Sequence, residues 1–280
     1  MQEKLGNRRV TGTEQYYTPR DLALELTELA LNQIPNWQKR AFLEPAGGTG
    51  SFITALEQKG IRSITSVDTE PKHPSVRRQD FLTFDPAGAE FVTISNPPFG
   101  RNNALSVPFF NHAAHFSSHI AFLVPQSWRK WSVLNRLNQN FHLVLDSEVR
   151  VVYQDALGEK ITGHNQLRTC FQVWEKRDTA RARVKVPDHG FVTRSTPQQA
   201  DVAIRVFGYG CGKVLREFPR QANTTMMFLA VSEPGIISAL EGLDYERFAS
   251  RTAYTKALSL QEINFLLNEQ LLGDGFYPKG

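Results

Sequence analysis

"FLEPAGGTGSF", residues 42–52, decides how the rest of the chain is read. An apolar run ends in an acid, three glycines fall within four positions, and an apolar helical pattern follows. A strand–turn–helix bend of this kind lets backbone come close to a ligand. It also turns the free N–H groups of a helix start toward that ligand. The bend is not the G-x-G-x-x-G pattern that cradles a dinucleotide pyrophosphate. Glycines alone are equally consistent with a generic tight turn.

The acid narrows the ligand. Glu44, at the end of the run and beside Pro45, would repel phosphate and attract an ammonium group. That favours a nucleoside carrying an amino acid, S-adenosylmethionine, with Gly47 and Gly50 at the bend. The next apolar run ends in "SVDTEP", and its Asp68 lies 18 residues beyond Gly50. An acid at about that distance is placed to grip ribose hydroxyls, with Glu70 as its competitor. "RQDFL" (78–82) then offers Asp80 to an adenine amine and Phe81 to the face of the base. Read structurally, the same pair is a core phenylalanine and a capping aspartate, and the sequence leaves both readings open.

Further out, short apolar runs alternate with helical patterns. The runs are 41–43, 63–67, 91–95, 120–124, 142–146 and 169–174. Helical patterns fall at about 51–58, 105–117 and 128–138, after a leucine-striped helix opening at "TPRDLALEL". There Thr18 is the expected cap, Pro19 the first helical residue, and Pro35 the stop. The alternation predicts an α/β fold with a mostly parallel sheet. The last two runs lack a helix between them and suit an antiparallel hairpin at a sheet edge, with 154–166 as its loop. The sequence also predicts a loose polar start at 1–15.

The bulk numbers fit one large domain or a domain with a smaller attachment. The chain has 280 residues, 41% apolar and 21% charged, with a formal charge of +4. Two cysteines without ligand spacing argue against a structural zinc site, and no metal is expected. No secretory leader or bilayer-length apolar run is read, so a cytoplasmic protein with no membrane partner is expected.

"ISNPPFG", residues 94–100, is the second decisive stretch. Paired prolines stop a strand abruptly and hold the stop rigid. A planar exocyclic amine, such as that of adenine, delocalises its lone pair and is a poor nucleophile. Two acceptors aimed at its N–H groups favour the pyramidal form and stabilise the positive charge that develops. Asn96 offers its side-chain oxygen and Pro97 its carbonyl. Pro98 keeps that carbonyl aimed. Phe99 offers a face for the base. A plain Pro-Pro loop explains the stiffness but neither the asparagine nor the phenylalanine.

Together, "FLEPAGGTGSF" and the later "NPPF" resemble the class I S-adenosylmethionine-dependent amino-methyltransferases. "EQYYTPRDLALEL" (14–26) resembles the N-terminal cofactor motif of N6-adenine DNA methyltransferases of restriction–modification and phage systems. The motif order matches that family's gamma arrangement over roughly residues 14–176. The resemblance implies a Rossmann-like, seven-stranded sheet with an antiparallel last strand. It also implies S-adenosylmethionine as donor, Tyr17 and Thr18 at its methionine end, and a flipped target base. Asn-Pro-Pro-Phe also occurs in RNA adenine methyltransferases, and Asn-Pro-Pro-Tyr in protein glutamine methyltransferases. A non-catalytic nucleic-acid-binding relative would show a broken bend or a missing acceptor, and neither is seen.

The expected division is a catalytic domain at 1–176 and a small basic region at 177–280 that contacts DNA, with RNA the alternative. Residues 176–220 hold ten Lys or Arg against four Asp or Glu, including Arg205 and Lys213 around the glycine-rich "RVFGYGCGK". Arg101 and Asn102 follow the Asn-Pro-Pro-Phe corner and could close over substrate or touch phosphates. "WRKW" (128–131) could hold a phosphate or base through Arg129 and Lys130, although its aromatics favour a partly buried helix start. Near the end, Ser259 and Glu262 form a capping box for a last helix, with Gly273 as its stop.

Overall fold

The computed structural model describes residues 17–153 and 167–276. The expectations for residues 1–15, for 14–16 of the N-terminal motif and for the 154–166 loop lie outside the described residues. The chain divides by packing into two units. Within the described residues, one comprises 17–123, 151–153 and 172–175, and the other 124–150, 167–171 and 176–276.

The first unit opens with α1 (Arg20–Leu31), which packs against α2 (Ser51–Gln58). Strands β1 (Ala41–Glu44), β2 (Ile64–Asp68), β3 (Arg77–Arg78), β4 (Phe91–Ser95) and β5 (Ser117–Pro125) follow, with α3 (Ser106–Ala113) between the last two. With β6 (Phe141–Val149) and β7 (Thr169–Lys176) they form a seven-stranded sheet in the order β3-β2-β1-β4-β5-β7-β6. β1 runs parallel to β2 and β4, β2 to β3, and β4 to β5. The sheet is Rossmann-like and mostly parallel, with an antiparallel edge strand. β4 is buried at every position, as expected of a central strand covered on both faces. The β6–β7 pair sits at the edge, where the pattern of apolar runs placed it.

Sheet order reverses between β1 and β4, so the loops leaving their C-terminal ends diverge and open a crevice there. β1 delivers the glycine bend to that crevice, β2 delivers Asp68, and β4 delivers Asn96.

The second unit holds β8 (Val192–Arg194), β9 (Val202–Arg205), β10 (Val214–Leu215) and β11 (Met226–Val231), an antiparallel sheet in the order β10-β9-β11-β8. Ile204 and Leu229 from that sheet share one core with residues of α5 (Gly235–Glu241), α6 (Glu246–Ala249) and α7 (Leu260–Leu272), among them Leu240, Phe248 and Leu266. The capping box of Ser259 and Glu262 is formed, and Gly273 ends α7 at φ 80°.

Two local expectations change. Thr18 does not cap α1; Pro19 occupies the N-cap and no side-chain cap bond forms. The Thr18 hydroxyl is drawn instead to Asn96. The helix expected over 128–138 shrinks to a 3-10 turn at Gln126–Arg129 and α4 (Trp131–Leu134). Lys130 between them is extended, at φ −80° and ψ 138°, and its ammonium is tied to Glu262 and to the Ala257 carbonyl. Among the described residues no helix is long and apolar enough to cross a membrane.

Candidate active site

A cavity of about 340 Å³ opens at the crevice, within the usual size for a small-molecule site. Its floor is the glycine bend. A Cβ on Gly47 would strike Ser66 Oγ and the Val76 methyls, so only glycine lets β1's turn lie against β2. A Cβ on Gly48 would come within 2.8 Å of the Tyr17 ring.

Glu44 is 1% exposed. Its Oε1 accepts from Ser95 Oγ at 2.5 Å and from the Ala46 N–H at 3.0 Å. Burial pushes its carboxyl up to about 8; those two hydrogen bonds pull the other way, and Asp68 adds a further push upward. At neutral pH the group therefore tends to keep its proton, and a cation placed beside it would release it. Asp68 Oδ2 accepts from the Gly48 N–H and Oδ1 from the Glu70 N–H, each at 2.8 Å. Both of its oxygens are held in place, and each retains a lone pair for a further donor. Burial also raises the Tyr17 phenol, with Asp68 and Glu70 adding to the effect.

The opposite wall is the Asn-Pro-Pro-Phe corner. Asn96 Nδ2 donates to Thr18 Oγ1 at 3.1 Å, and Ser51 Oγ donates to the Thr18 carbonyl at 2.7 Å. Thr18 thus links the first residue of α2 to the amide of Asn96. With Nδ2 turned to Thr18, the amide oxygen is the atom directed away from it. After the corner, the amides of Leu105 and Ser106 donate to the Phe99 carbonyl at 3.2 and 3.3 Å and close the loop.

Most of the expected site residues line this cavity. Tyr17, Thr18, Glu44, Pro45, Gly47 and Asp68 do so on the bend side. Phe81, Asn96, Pro97, Pro98 and Phe99 do so on the other. Gly50 and Asp80 lie outside the lining. Gly50 is the left-handed N-cap of α2, with the His73 ring against it. Asp80 is exposed and accepts from the Leu82 N–H, so it caps a 3-10 turn at Phe81–Thr83. Phe81 is both core and lining: it is 1% exposed, and its ring centroid lies 5.0 Å from that of Phe109.

Sequence reasoning missed Gln79, Ser51 and Phe109, which also line the cavity. Gln79 is one residue from the expected Asp80. Its backbone N–H donates to the Asp68 carbonyl at 3.0 Å and so places the residue beside Asp68, which no periodicity over a two-residue strand reveals.

Expected nucleic-acid contacts fare unevenly. Arg101 and Asn102 are exposed beside the corner but outside the lining, with Asn102 left-handed at φ 54°. Arg129 and Lys130, in the second unit, are already engaged. Arg129 makes a two-pronged pair with Asp146, and Lys130 pairs with Glu262 at 2.9 Å. The flanking aromatics are structural, as favoured: Trp128 is fully buried, and Trp131 packs on Phe248 and Phe265 at 5.2 Å each. Arg205 and Lys213 face each other at the base of the β9–β10 hairpin. Among the described residues no three His, Cys, Asp or Glu side chains gather as a metal site.

No protein-family model and no curated protein sequence matches the chain. Among solved structures, a Pyrococcus horikoshii protein provisionally described as an RNA methyltransferase is similar over 59% of this chain and 89% of its own, at 17% identity and a TM-score of 0.48. A Listeria monocytogenes protein, provisionally described as a class I S-adenosylmethionine-dependent methyltransferase, is similar over 65% of this chain and 66% of its own, at 19% identity and 0.43. A modification subunit from Vibrio vulnificus YJ016, provisionally assigned to a type I restriction enzyme, is similar over 60% and 46%, at 16% identity and 0.43.

Proposed function

We propose that the chain is an S-adenosylmethionine-dependent methyltransferase acting on the exocyclic N6 of adenine in DNA, with residues 1–176 catalytic and 177–280 contacting the nucleic acid. One observation carries the reading. Among the described residues, the cavity is lined by two acidic side chains, Glu44 and Asp68, and by no Lys or Arg, and the Asn-Pro-Pro-Phe corner forms its far wall. Such a lining disfavours phosphates and suits a ligand that is cationic at one end and a nucleoside at the other.

Glu44 and Tyr17 would hold the ammonium end. Asp68 would accept from ribose hydroxyls, and Phe81 and Phe109 would flank the purine. S-adenosylmethionine supplies an electrophilic methyl group. The chain's own contribution is to the nucleophile. Asn96 Oδ1 and the Pro97 carbonyl accept from the two N–H bonds of the adenine amine, favour its pyramidal form, and stabilise the charge that develops on nitrogen. Thr18 would hold the amide through Nδ2, so that Oδ1 is the atom that accepts from the base once it enters. The paired prolines leave little reorganisation for the reacting moment. Phe99 stacks on the base, which must leave its duplex to reach the corner.

Incubation with methyl-labelled S-adenosylmethionine and separate DNA, RNA and protein acceptors tests the reading. Label is expected in DNA, as N6-methyladenine. Asn96→Ala is expected to lower transfer by about 10²–10³-fold while cofactor uptake, followed by calorimetry, stays nearly intact. Label entering only RNA or protein, or transfer surviving in the variant at the wild-type rate, overturns it.

A further inference from the structure

The sequence feature least used by the cavity is "RVFGYGCGK" (205–213), and it builds a distinct surface in the second unit. It is the connection of the β9–β10 hairpin. The Arg205 amide donates to the Lys213 carbonyl at 2.9 Å and the Gly212 amide to the Arg205 carbonyl at 2.7 Å, so both cations stand at the base. Above them Gly208, Gly210 and Gly212 have φ of 82°, 71° and 96°. A second stretch, 251–258, is fastened alongside. Gly208 N–H donates to the Lys256 carbonyl at 3.0 Å, Leu258 N–H to the Val206 carbonyl at 2.9 Å, and Phe207 bridges Ala257.

Three aromatic rings emerge from this bonded pair of loops. Tyr209 is 97% exposed, Phe207 49% and Tyr254 45%. Single exposed apolar residues are ordinary, but three rings on two loops joined by backbone hydrogen bonds are a patch. The charge is one-sided as well. Residues 205–213 and 251–258 contain four Lys or Arg and no Asp or Glu. Lys256 is tied to Glu246, whereas no carboxylate among the described residues pairs with Arg205 or Lys213. Planar rings carried on a hydrogen-bonded pair of loops beside cations suit stacked bases and their phosphates.

We infer that this two-loop surface binds DNA, with Tyr209 stacking on a base at an unstacked step and Arg205 and Lys213 on the adjoining phosphates. The inference rests on the proposed DNA substrate for its choice of DNA; the surface itself is independent of the cavity. A projecting ring at a distorted step is a recurrent way of holding DNA open, and the proposed chemistry requires an unstacked base.

The test uses the full chain and a fluorescently labelled oligodeoxynucleotide, single-stranded and duplex, with the same sequence as RNA and an acidic peptide as separate arms. Tyr209→Ala is expected to weaken DNA binding about tenfold or more, with an unchanged melting temperature. Tyr209→Phe is expected to retain it. Tyr209→Trp is expected to bind and to lose emission on binding, relative to the wild-type background. DNA affinity unchanged in Tyr209→Ala, no DNA binding at all, or tighter binding to RNA or peptide each overturns the inference. Methyl transfer to DNA is measured in parallel. Transfer with no dependence on Tyr209 sinks the surface and leaves the catalytic reading standing. Binding through Tyr209 without any transfer sinks the catalytic reading and leaves the surface standing.

Discussion

Gly47 and Gly208 sit in two glycine-rich turns that serve opposite ends. A Cβ on Gly47 would collide with Ser66 and Val76, whereas around Gly208 there is nothing within 4 Å. The first turn uses glycine to let neighbours in; the second uses it to bend the chain at φ 82° and push side chains out. Charge follows the same division. Around the first turn lie Glu44 and Asp68, with no Lys or Arg among the described residues of the cavity lining, and at the second stand Arg205 and Lys213 with no acid in the loop. Similar glycine content therefore serves an inward-facing acidic crevice in one unit and an outward-facing basic surface in the other.

The largest expected effect falls on the inward turn. Gly47→Val should lower S-adenosylmethionine affinity about a hundredfold and the melting temperature by about 5 °C, because overpacking against β2 costs about 1–3 kcal/mol and the bend must shift. Calorimetric titration and a thermal melt read both. Wild-type affinity in this variant would break the contrast, since the turn would then tolerate a side chain as the outer one does.

Next is the pH dependence of Glu44. Burial lifts its carboxyl from an ordinary 4.5 to about 8, so between those values the folded chain holds a proton that the unfolded chain has released. Folding stability should fall as pH rises through that window and level off above it. Glu44→Gln should remove that part of the slope. It should also weaken cofactor binding most at the alkaline end, where the wild-type carboxylate is ionised. Melts and titrations across the window check both, and an unchanged slope in Glu44→Gln would show that burial does not control this carboxyl.

A smaller effect sharpens the outer side. Replacing both Arg205 and Lys213 by Ala should make the dependence of log affinity for DNA on log salt shallower by about two units, with cofactor affinity untouched. Binding measured across a salt series decides it; an unaltered slope means that neither cation reaches a phosphate. The smallest effect is Gly208→Ala, expected to cost about 1 kcal/mol for the left-handed backbone alone and to leave the cavity unaffected. A denaturant melt reads that cost, and a far larger loss would mean that Gly208 also admits a close neighbour.

Much of this was legible along the chain. β4 and α2 fall where the apolar runs and helical pattern place them, at Phe91–Ser95 and Ser51–Gln58, because central strands and amphipathic helices write their burial into local periodicity. The capping box at Ser259 was legible for the same reason: its partners are three residues apart. Thr18 was not. Its hydrogen bond to Asn96 spans 78 residues, and a local capping role was the natural expectation beside a proline. Arg129 and Lys130 looked available because their partners, Asp146 and Glu262, are remote in sequence.

The sequence by itself determined the glycine bend, the rigid Asn-Pro-Pro-Phe corner and the alternation that builds a parallel sheet, since each is a property of neighbouring residues and their backbone preferences. Only the tertiary structure decided that Glu44, Asp68 and Asn96 share one cavity, that Gly50 and Asp80 lie outside its lining, and that Arg129 and Lys130 are held by carboxylates. Those outcomes depend on which side chains meet across the sheet and on how far burial strips them of water, and neither is encoded in any short stretch of chain.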